Sequence, residues 1–473
     1  MTKLDIEIVK KMGIHELRTY ARQVGVLPKT MKQVEIIQAI QEVYDGTRKP
    51  EYASPTGAGR PPKGNAFSGR KPLSEMDELP ENKGYTGEFC VCDHDIYDND
   101  REREGVLEVH VNGYGFLRTK NYTPTNKEDV FVDPNTIKKY CLMRGDLVRC
   151  TVKLEKGQES SLPIDEILSI NGVSPRNHAR KTYFDDLTPC YPDTKIKLET
   201  TPDIIATRCI DLLCPIGKGQ RGIIVSPPKA GKTTMLKSIA HAIEINYPSI
   251  ELIVLLIDER PEEVTDFKRS ISSADIVCST FDESPEHHIQ VAELVISRAK
   301  RLVEMGKDVV ILLDSITKLT RAYNSTVTAS GKVLSGGIDP MAFVSPKKFF
   351  GAARNIDKGG SLTILSTALI DTGSKMDDVI YEEFKGTGNM EVHLSRELSE
   401  KRVFPAIDIF RSGTRKEELL LSKEEMEGVL KIRKMLSKEG ASENLIEMLK
   451  KTKTNEEFVI KLDEWFKVYN NRK

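Results

Sequence analysis

Eight residues, Ser226-Pro-Pro-Lys-Ala-Gly-Lys-Thr233, constrain this 473-residue chain more than any others. They lie between an apolar run, Gly222–Val225, and a helical pattern over Met235–Ile245. That is the strand–loop–helix context a P-loop requires. At the start of a helix the backbone N–H groups are unpaired and the dipole favours negative charge, so the loop Lys229, Ala230, Gly231, Lys232, Thr233 and Thr234 is expected to cradle phosphates. Lys232 is placed to reach the β- and γ-phosphates, and the Thr233 hydroxyl to hold Mg²⁺. Ser226 stands where a glycine is usual, and Pro227-Pro228 follow it. Serine takes a positive φ less freely than glycine, so the entry to the loop is expected to differ.

The surrounding rhythm is strand, helix, strand. Apolar runs at Gly222–Val225, Leu252–Ile257, Asp275–Ser279, Val309–Leu313 and Leu362–Leu369 alternate with helical patterns such as Val291–Val303. This predicts a parallel α/β sheet. Two of the runs end in acids, Asp258-Glu259-Arg260 and Asp314-Ser315. Ligands bind at the carboxyl ends of parallel strands, so both acids should face the phosphates. Asp314, alone after its run, is assigned as the metal-linked carboxylate and Glu259 as the base that orients water. The competing reading makes one of the acids a helix N-cap, a role compatible with metal binding at Asp314. After an expected helix at Ser315–Tyr323 comes a Ser/Thr/Gly tract, 325–340, with Lys332 near its centre; a second loop, Asp371–Lys375, follows the run Leu362–Leu369. Long loops inside a compact domain are usually functional, so these two are candidates to grip a polyanion; a solvated lysine is the alternative for each.

The length calls for two or three domains. Residues 1–45 carry helical periodicity broken at Gly13, Gly25 and Pro28, predicting a small helical subdomain. In 46–87 the apolar pattern lapses, and between Gly46 and Pro72 six Lys and Arg oppose only Glu51. This reads as a basic disordered linker, able to touch phosphates or merely to keep the chain soluble. Residues 88–173 hold five short strand-like runs (105–110, 114–118, 129–132, 146–153 and 166–170), as in a small oligonucleotide-binding barrel. Asn112-Gly113 turns a hairpin into Tyr114-Gly-Phe-Leu-Arg118, whose alternation puts Tyr114, Phe116 and Arg118 on one face. That face could stack bases and hold phosphate, or its rings could fill the barrel core. Residues 174–473 are expected to form the nucleotide-binding domain. The net charge of −1 does not exclude a nucleic-acid partner, because distribution outweighs the sum. No secretory leader or membrane-length apolar run is read, and eight scattered Cys fit a reducing cytoplasm. Cys90, Cys92 and His94 lack a second ligand pair, so strand positions are preferred to zinc.

Longer runs now carry a resemblance: Leu256–Thr265 (LIDERPEEVT), Gly386–Arg396 (GTGNMEVHLSR), Glu400–Asp408 (EKRVFPAID) and Arg411–Leu419 (RSGTRKEEL). With the P-loop they resemble the bacterial transcription termination factor Rho family, over nearly all of 105–460, and 1–45 resembles that family's N-terminal helical subdomain. The resemblance implies an α/β fold with a RecA-like P-loop ATPase core, an N-terminal oligonucleotide-binding β-barrel and a small helical subdomain. It implies an RNA-dependent ATPase and RNA/DNA helicase, working as a homohexameric ring with ATP and Mg²⁺ on nascent single-stranded RNA and terminating transcription beside RNA polymerase. Carried over by position, Lys229, Lys232 and Thr233 would bind nucleotide and metal, with Arg260 in the same site. Glu259 would be the base, Asp314 the metal carboxylate, and Phe404 would stack on adenine. Arg415 would be an arginine finger from the neighbouring subunit, with Arg402 near the same interface. Tyr114, Phe116, Arg118 and Phe131 would form the primary RNA site, and Lys332 and Lys375 would lie on two central-channel loops. Where the family has a second Tyr near the last barrel strands, this chain reads Glu159-Ser-Ser-Leu-Pro163.

A recombinase or rotary ATP synthase subunit would share the core logic, but neither calls for the Tyr-Gly-Phe-Leu-Arg strand. A non-enzymatic RNA-binding protein is disfavoured because Lys232, Glu259 and Asp314 are all present.

Overall fold

The structure is a computed structural model that describes residues 34, 36–38, 43, 101–125, 128–153, 162–178, 182–435 and 440–464. The chain falls into two compact units, Met1–Asp93 and His94–Lys473. In the first unit Val34, Ile36, Ile37, Gln38 and Val43 are helical. The basic linker, the Cys90/Cys92/His94 cluster and most of the expected helical subdomain lie outside the described residues.

Five strands close a barrel in the order β1-β2-β3-β5-β4: β1 Glu102–Val109, β2 Gly115–Arg118, β3 Val130–Val132, β4 Leu147–Val152 and β5 Leu162–Ile170. Period-two alternation sends Leu107, Leu117, Val130, Val132, Val148 and Val152 into its core. The hairpin from β1 to β2 turns at Gly113, whose φ of +88° suits glycine. Strand β5 starts at Leu162 rather than at the expected Glu166, because Leu162 and Pro163 pair with Val130 and Phe131 of β3. The Glu159–Ser161 part of the departure from the family pattern lies outside the described residues.

The second sheet runs β8-β7-β9-β10-β6-β11-β12. The strands of this path are β6 Arg221–Ser226, β7 Glu251–Glu259, β8 Asp275–Thr280, β9 Asp308–Asp314, β10 Ser361–Leu369, β11 Met390–His393 and β12 Gly413–Thr414, and two short strands off it, Pro189–Cys190 and Arg354–Ile356, complete the nine-stranded sheet. All neighbouring pairs on this path are parallel except β11–β12. The central strands read as unbroken apolar runs because helices cover both faces. One face packs α1 (Ile205–Leu213), α2 (Lys232–Asn246) and the C-terminal helices Ala441–Lys450 and Asn455–Ile460; the other packs α4 (Pro285–Glu304), α5 (Ile316–Thr326) and α6 (Lys375–Lys385). Two further short helices matter below: α3 (Pro261–Ser270) and α7 (Arg396–Glu400).

The barrel docks against β8, the outer strand of this sheet. The Asn121 side-chain amide donates to the Cys278 carbonyl at 2.8 Å and its oxygen accepts the Cys278 N–H at 2.9 Å, an imitation of strand pairing. The Tyr122 hydroxyl bonds the Asp275 carboxylate at 2.5 Å, and Tyr122 and Val106 join the core of the second sheet.

Candidate functional site

Register decides which side chains meet. Leu256 of β7 pairs with Asp314 of β9, Leu313 with Ser366 of β10, and Leu369 with Ser226 of β6. The phosphate loop, Asp314 and Glu259 therefore emerge from the same edge of the sheet. The loop turns through Lys229 (φ +63°) and Gly231 (φ +90°), and α2 begins at Lys232. Ser226 is not among the positive-φ residues; its hydroxyl donates to the Pro227 carbonyl at 2.9 Å, so the entry is made without the glycine-type turn.

Lys232 lies between the two acids, with Nζ 2.5 Å from Asp314 Oδ1 and 3.0 Å from Glu259 Oε1. Burial disfavours its charge, but Asp314 and Glu259 outweigh burial and hold the ammonium above its ordinary pKa. Lys318 of α5 supplies a second cation to Glu259 at 2.9 Å and donates to the Asp258 carbonyl at 2.6 Å. Burial raises the Glu259 pKa, yet Lys232 and Lys318 together bring it below the usual carboxylate value. Asp314 Oδ1 also accepts the Thr367 hydroxyl at 2.8 Å, while Oδ2 is buried with no hydrogen-bond partner. Asp314 is not the helix cap: Ser315 caps α5, its hydroxyl accepting the Lys318 N–H. Thr233 meets Glu263 of α3 at 3.3 Å, and Arg260, exposed, stands at the N-cap position of that helix.

Beside the loop is a cavity of about 570 Å³ lined by Ile205, Ala230, Gly231, Thr234, Met235 and Phe404, among others. Phe404 is 47% exposed, and its ring edge lies 3.8 Å from where a Gly231 Cβ would stand. Such a half-open ring over a phosphate loop has the dimensions of a flat heterocycle site. The Ser399 hydroxyl ties α7 to the Lys229 carbonyl at 2.8 Å, and exposed Arg402 (φ +59°) forms the turn into Phe404.

Arg415 does not join this group. Met390 pairs with both Gly222 and Thr414, so Arg415 follows a strand end at the start of β6. Its N–H bonds the Asn389 carbonyl at 2.8 Å, and it lines a separate cavity with Arg411 and Arg433. Gly222 to Ser226 spans roughly 13 Å at ~3.3 Å per residue.

On the barrel, Tyr114, Phe116 and Phe131 form a cluster on the outer face, with each pair of ring centroids 5.8 Å apart. All three are partly exposed, so they do not fill the barrel core. His110 stacks on Tyr114 at 4.9 Å. The Arg118 guanidinium lies 5.1 Å from the Phe116 centroid and is held by Glu108 and Asp129, both at 2.6 Å. Arg118 is thus an oriented fork and not a free cation.

The two loops are brought together. A Cβ on Gly336 would stand 2.6 Å from Met376 N and 2.8 Å from the Lys375 carbonyl carbon, so only glycine fits there. The first loop is ordered by Ser330 N–H on Asp339 at 2.7 Å and by a bridge between Leu334 and Ile338. Lys332 and Lys375 are exposed, and among the described residues neither forms an ion pair. Helix α5 reaches both loops: Arg321 forks onto Asp377 at 2.6 Å and Asn324 accepts the Asp339 N–H at 2.8 Å. Lys318 and Arg321 escaped the sequence reading. Their signal was position alone, since Lys318 stands four residues past Asp314 and Arg321 one helical turn further.

Among the described residues, no helix is long and apolar enough to cross a membrane. Residues 206–414 match the nucleotide-binding domain of the ATP synthase alpha/beta family, and residues 103–176 match the RNA-binding domain of the Rho termination factor. Transcription termination factor Rho of Bacillus subtilis is 56% identical over 369 residues, covering 78% of this chain and 86% of the relative. That of Escherichia coli (strain K12) is 50% identical over 405 residues, covering 82% and 96%. Among solved structures, an ATPase from the type III secretion system of pathogenic bacteria superposes with a TM-score of 0.51 at 23% identity, covering 64% of this chain and 95% of that one, a likeness of fold alone. The chain belongs to the transcription termination factor Rho family.

Proposed function

We propose that this protein hydrolyses ATP at the Lys232–Glu259–Asp314 site and spends the energy moving along single-stranded RNA, as an RNA-dependent helicase of transcription termination. The observation that carries it is Lys232 held between the two carboxylates that hydrolysis needs. When a triphosphate seats on the loop, its charge draws Lys232 away from both acids. Glu259 then keeps only Lys318, its proton affinity rises, and it can take a proton from the attacking water. Adenine lies against Phe404 in the cavity beside Gly231.

Magnesium fits the residues present: the Thr233 hydroxyl and the unpartnered Asp314 Oδ2 are oxygen donors suited to a hard cation. Bound there with the nucleotide, it would neutralise charge on the β- and γ-phosphates. Arg415 lies about one strand length from its own chain's phosphate loop, which supports a role on a neighbour's nucleotide and hence a ring, read as a hexamer. The aromatic face of the barrel captures RNA first, and the paired loops carrying Lys332 and Lys375 follow it through the ring. Nascent transcripts in the cytoplasm, beside RNA polymerase, are the expected setting.

ATPase measured without nucleic acid, with RNA and with single-stranded DNA tests this reading. Hydrolysis stimulated by RNA and lost in Lys232→Ala, with barrel affinity for RNA intact, is the expected result. A wild-type rate in Lys232→Ala would refute the site.

A further inference from the structure

The barrel face and the catalytic helix are joined by a run of charges that the mechanism so far leaves unused. Arg118, beneath the aromatic cluster, is paired with Glu108 at 2.6 Å. Glu108 also accepts the Gln290 amide of α4 at 2.8 and 2.9 Å and stands 3.6 Å from Arg144. Arg144 reaches across to Glu293 of α4 at 3.1 Å. Glu293 accepts the hydroxyl of Tyr323 at 3.2 Å, and Tyr323 belongs to α5, the helix that holds Glu259 through Lys318. Burial first, and then the Glu293 carboxylate, keep the Tyr323 hydroxyl protonated, so it remains a donor.

Arg144 is the member with two positions open to it. Its guanidinium is shared between two carboxylates, and its Nε is buried without a partner. Its backbone is pinned, because Gly145 (φ +92°) packs so closely on α4 that a Cβ would stand 2.4 Å from the Ser297 carbonyl carbon. Only the side chain can shift. Glu108 is 13% exposed, so it cannot cheaply lose a counter-charge. If a base edge or phosphate oxygen draws Arg118 away, the nearest other cation is Arg144.

We propose that Arg144 is a positioning residue that passes RNA occupancy of the barrel face to helix α5 by shifting from Glu293 towards Glu108. This rests on the reading of the Phe116–Arg118 face as an RNA site. With RNA bound, Glu108 claims Arg144, Glu293 is left to Tyr323, and the altered hold on α5 re-aims Lys318 at Glu259.

The test uses the full-length protein and a uridine homopolymer RNA. Three quantities are read: RNA affinity by anisotropy, ATPase without RNA, and ATPase at saturating RNA. Arg144→Met and Tyr323→Phe, which removes a single hydroxyl, should each lower the RNA-stimulated rate by about five- to tenfold, at the low end of the usual range of a site-to-site coupling. RNA affinity, the RNA-free rate and the melting temperature should stay near wild type. Arg144→Lys, which keeps the charge, should recover much of the stimulation. Phe116→Ala should weaken RNA binding in either background, and should lower the saturated rate only where Arg144 is intact. Full stimulation in Arg144→Met would overturn the proposal, as would a fall in the RNA-free rate by the same factor, which would mean a plain docking staple. If Phe116→Ala in the wild-type background leaves RNA affinity unchanged, the face is not an RNA site; that result is distinct from a failed relay.

Discussion

The barrel face and the phosphate site each hold a cation between two carboxylates, and they differ in what the cation can then do. Arg118 lies between Glu108 and Asp129, Lys232 between Glu259 and Asp314. A guanidinium has five donors in a fixed plane, so Arg118 can yield Glu108 to a base or phosphate and still stay anchored on Asp129. An ammonium is a single point of charge on a flexible stem, so Lys232 must give up its carboxylates to take a phosphate. The same arrangement makes an oriented reader in one place and a releasable charge in the other. Lys332 and Lys375 are a third case, with no carboxylate held against either among the described residues.

The largest effect expected lies where the phosphate site is proposed to be completed by a neighbouring subunit. Arg415→Ala should bind ATP and RNA but hydrolyse about 10³–10⁵-fold more slowly, the worth of an arginine finger. Mixed with Glu259→Gln subunits, themselves nearly inactive alone, it should regain some ATPase, because one kind of junction in the mixed ring has both finger and base. Normal hydrolysis by Arg415→Ala alone would break the idea of a site shared between subunits.

Next comes Glu259→Gln, which should hold ATP tightly while turnover falls by about two to four orders of magnitude, the range of a general base. Asp258→Asn should stay active, because Lys318 uses the Asp258 carbonyl and not its carboxylate. The reverse result in single-turnover assays would exchange the two roles.

Smaller effects are expected on the barrel. Phe116→Ala should cost about 1–3 kcal/mol of RNA affinity, one stacked base. Arg118→Lys keeps the charge and loses the fork; an unchanged affinity would erase the contrast with Lys232. Smallest of all, Lys332→Ala should spare barrel affinity and lower the salt slope of channel binding by about 0.7, the share of one phosphate contact on a single strand.

Features set by local order were legible in the sequence. The phosphate loop needs eight consecutive residues, the two acids follow apolar runs, and the alternation of Tyr114, Phe116 and Arg118 places them on one face. The five barrel strands were found, with β5 starting four residues earlier than expected, since Leu162 and Pro163 pair with β3 ahead of the acids Asp165 and Glu166 that interrupt the pattern. Contacts distant in sequence were not legible. Lys318 on Glu259, Arg321 on Asp377, and Gly336 against Met376 join residues 40 to 59 positions apart, where no periodicity speaks. The cap at Ser315 was missed for another reason: Asp and Ser both suit that position, and only the geometry chooses.

The pairing of Asn121 with Cys278 has a consequence for anyone dissecting the molecule. Strand β8 ends the large sheet, and its outward N–H and C=O groups at Cys278 are closed by a side chain borrowed from the barrel. Cut away the barrel to obtain a minimal ATPase, and those groups, with the Ile276–Ser279 run beside them, become a bare template for another chain's strand. Such a fragment should self-associate in proportion to its concentration, however well its nucleotide site is preserved. Asn121→Ala in the full chain should show a milder form of the same stickiness, with Lys232, Glu259 and Asp314 untouched.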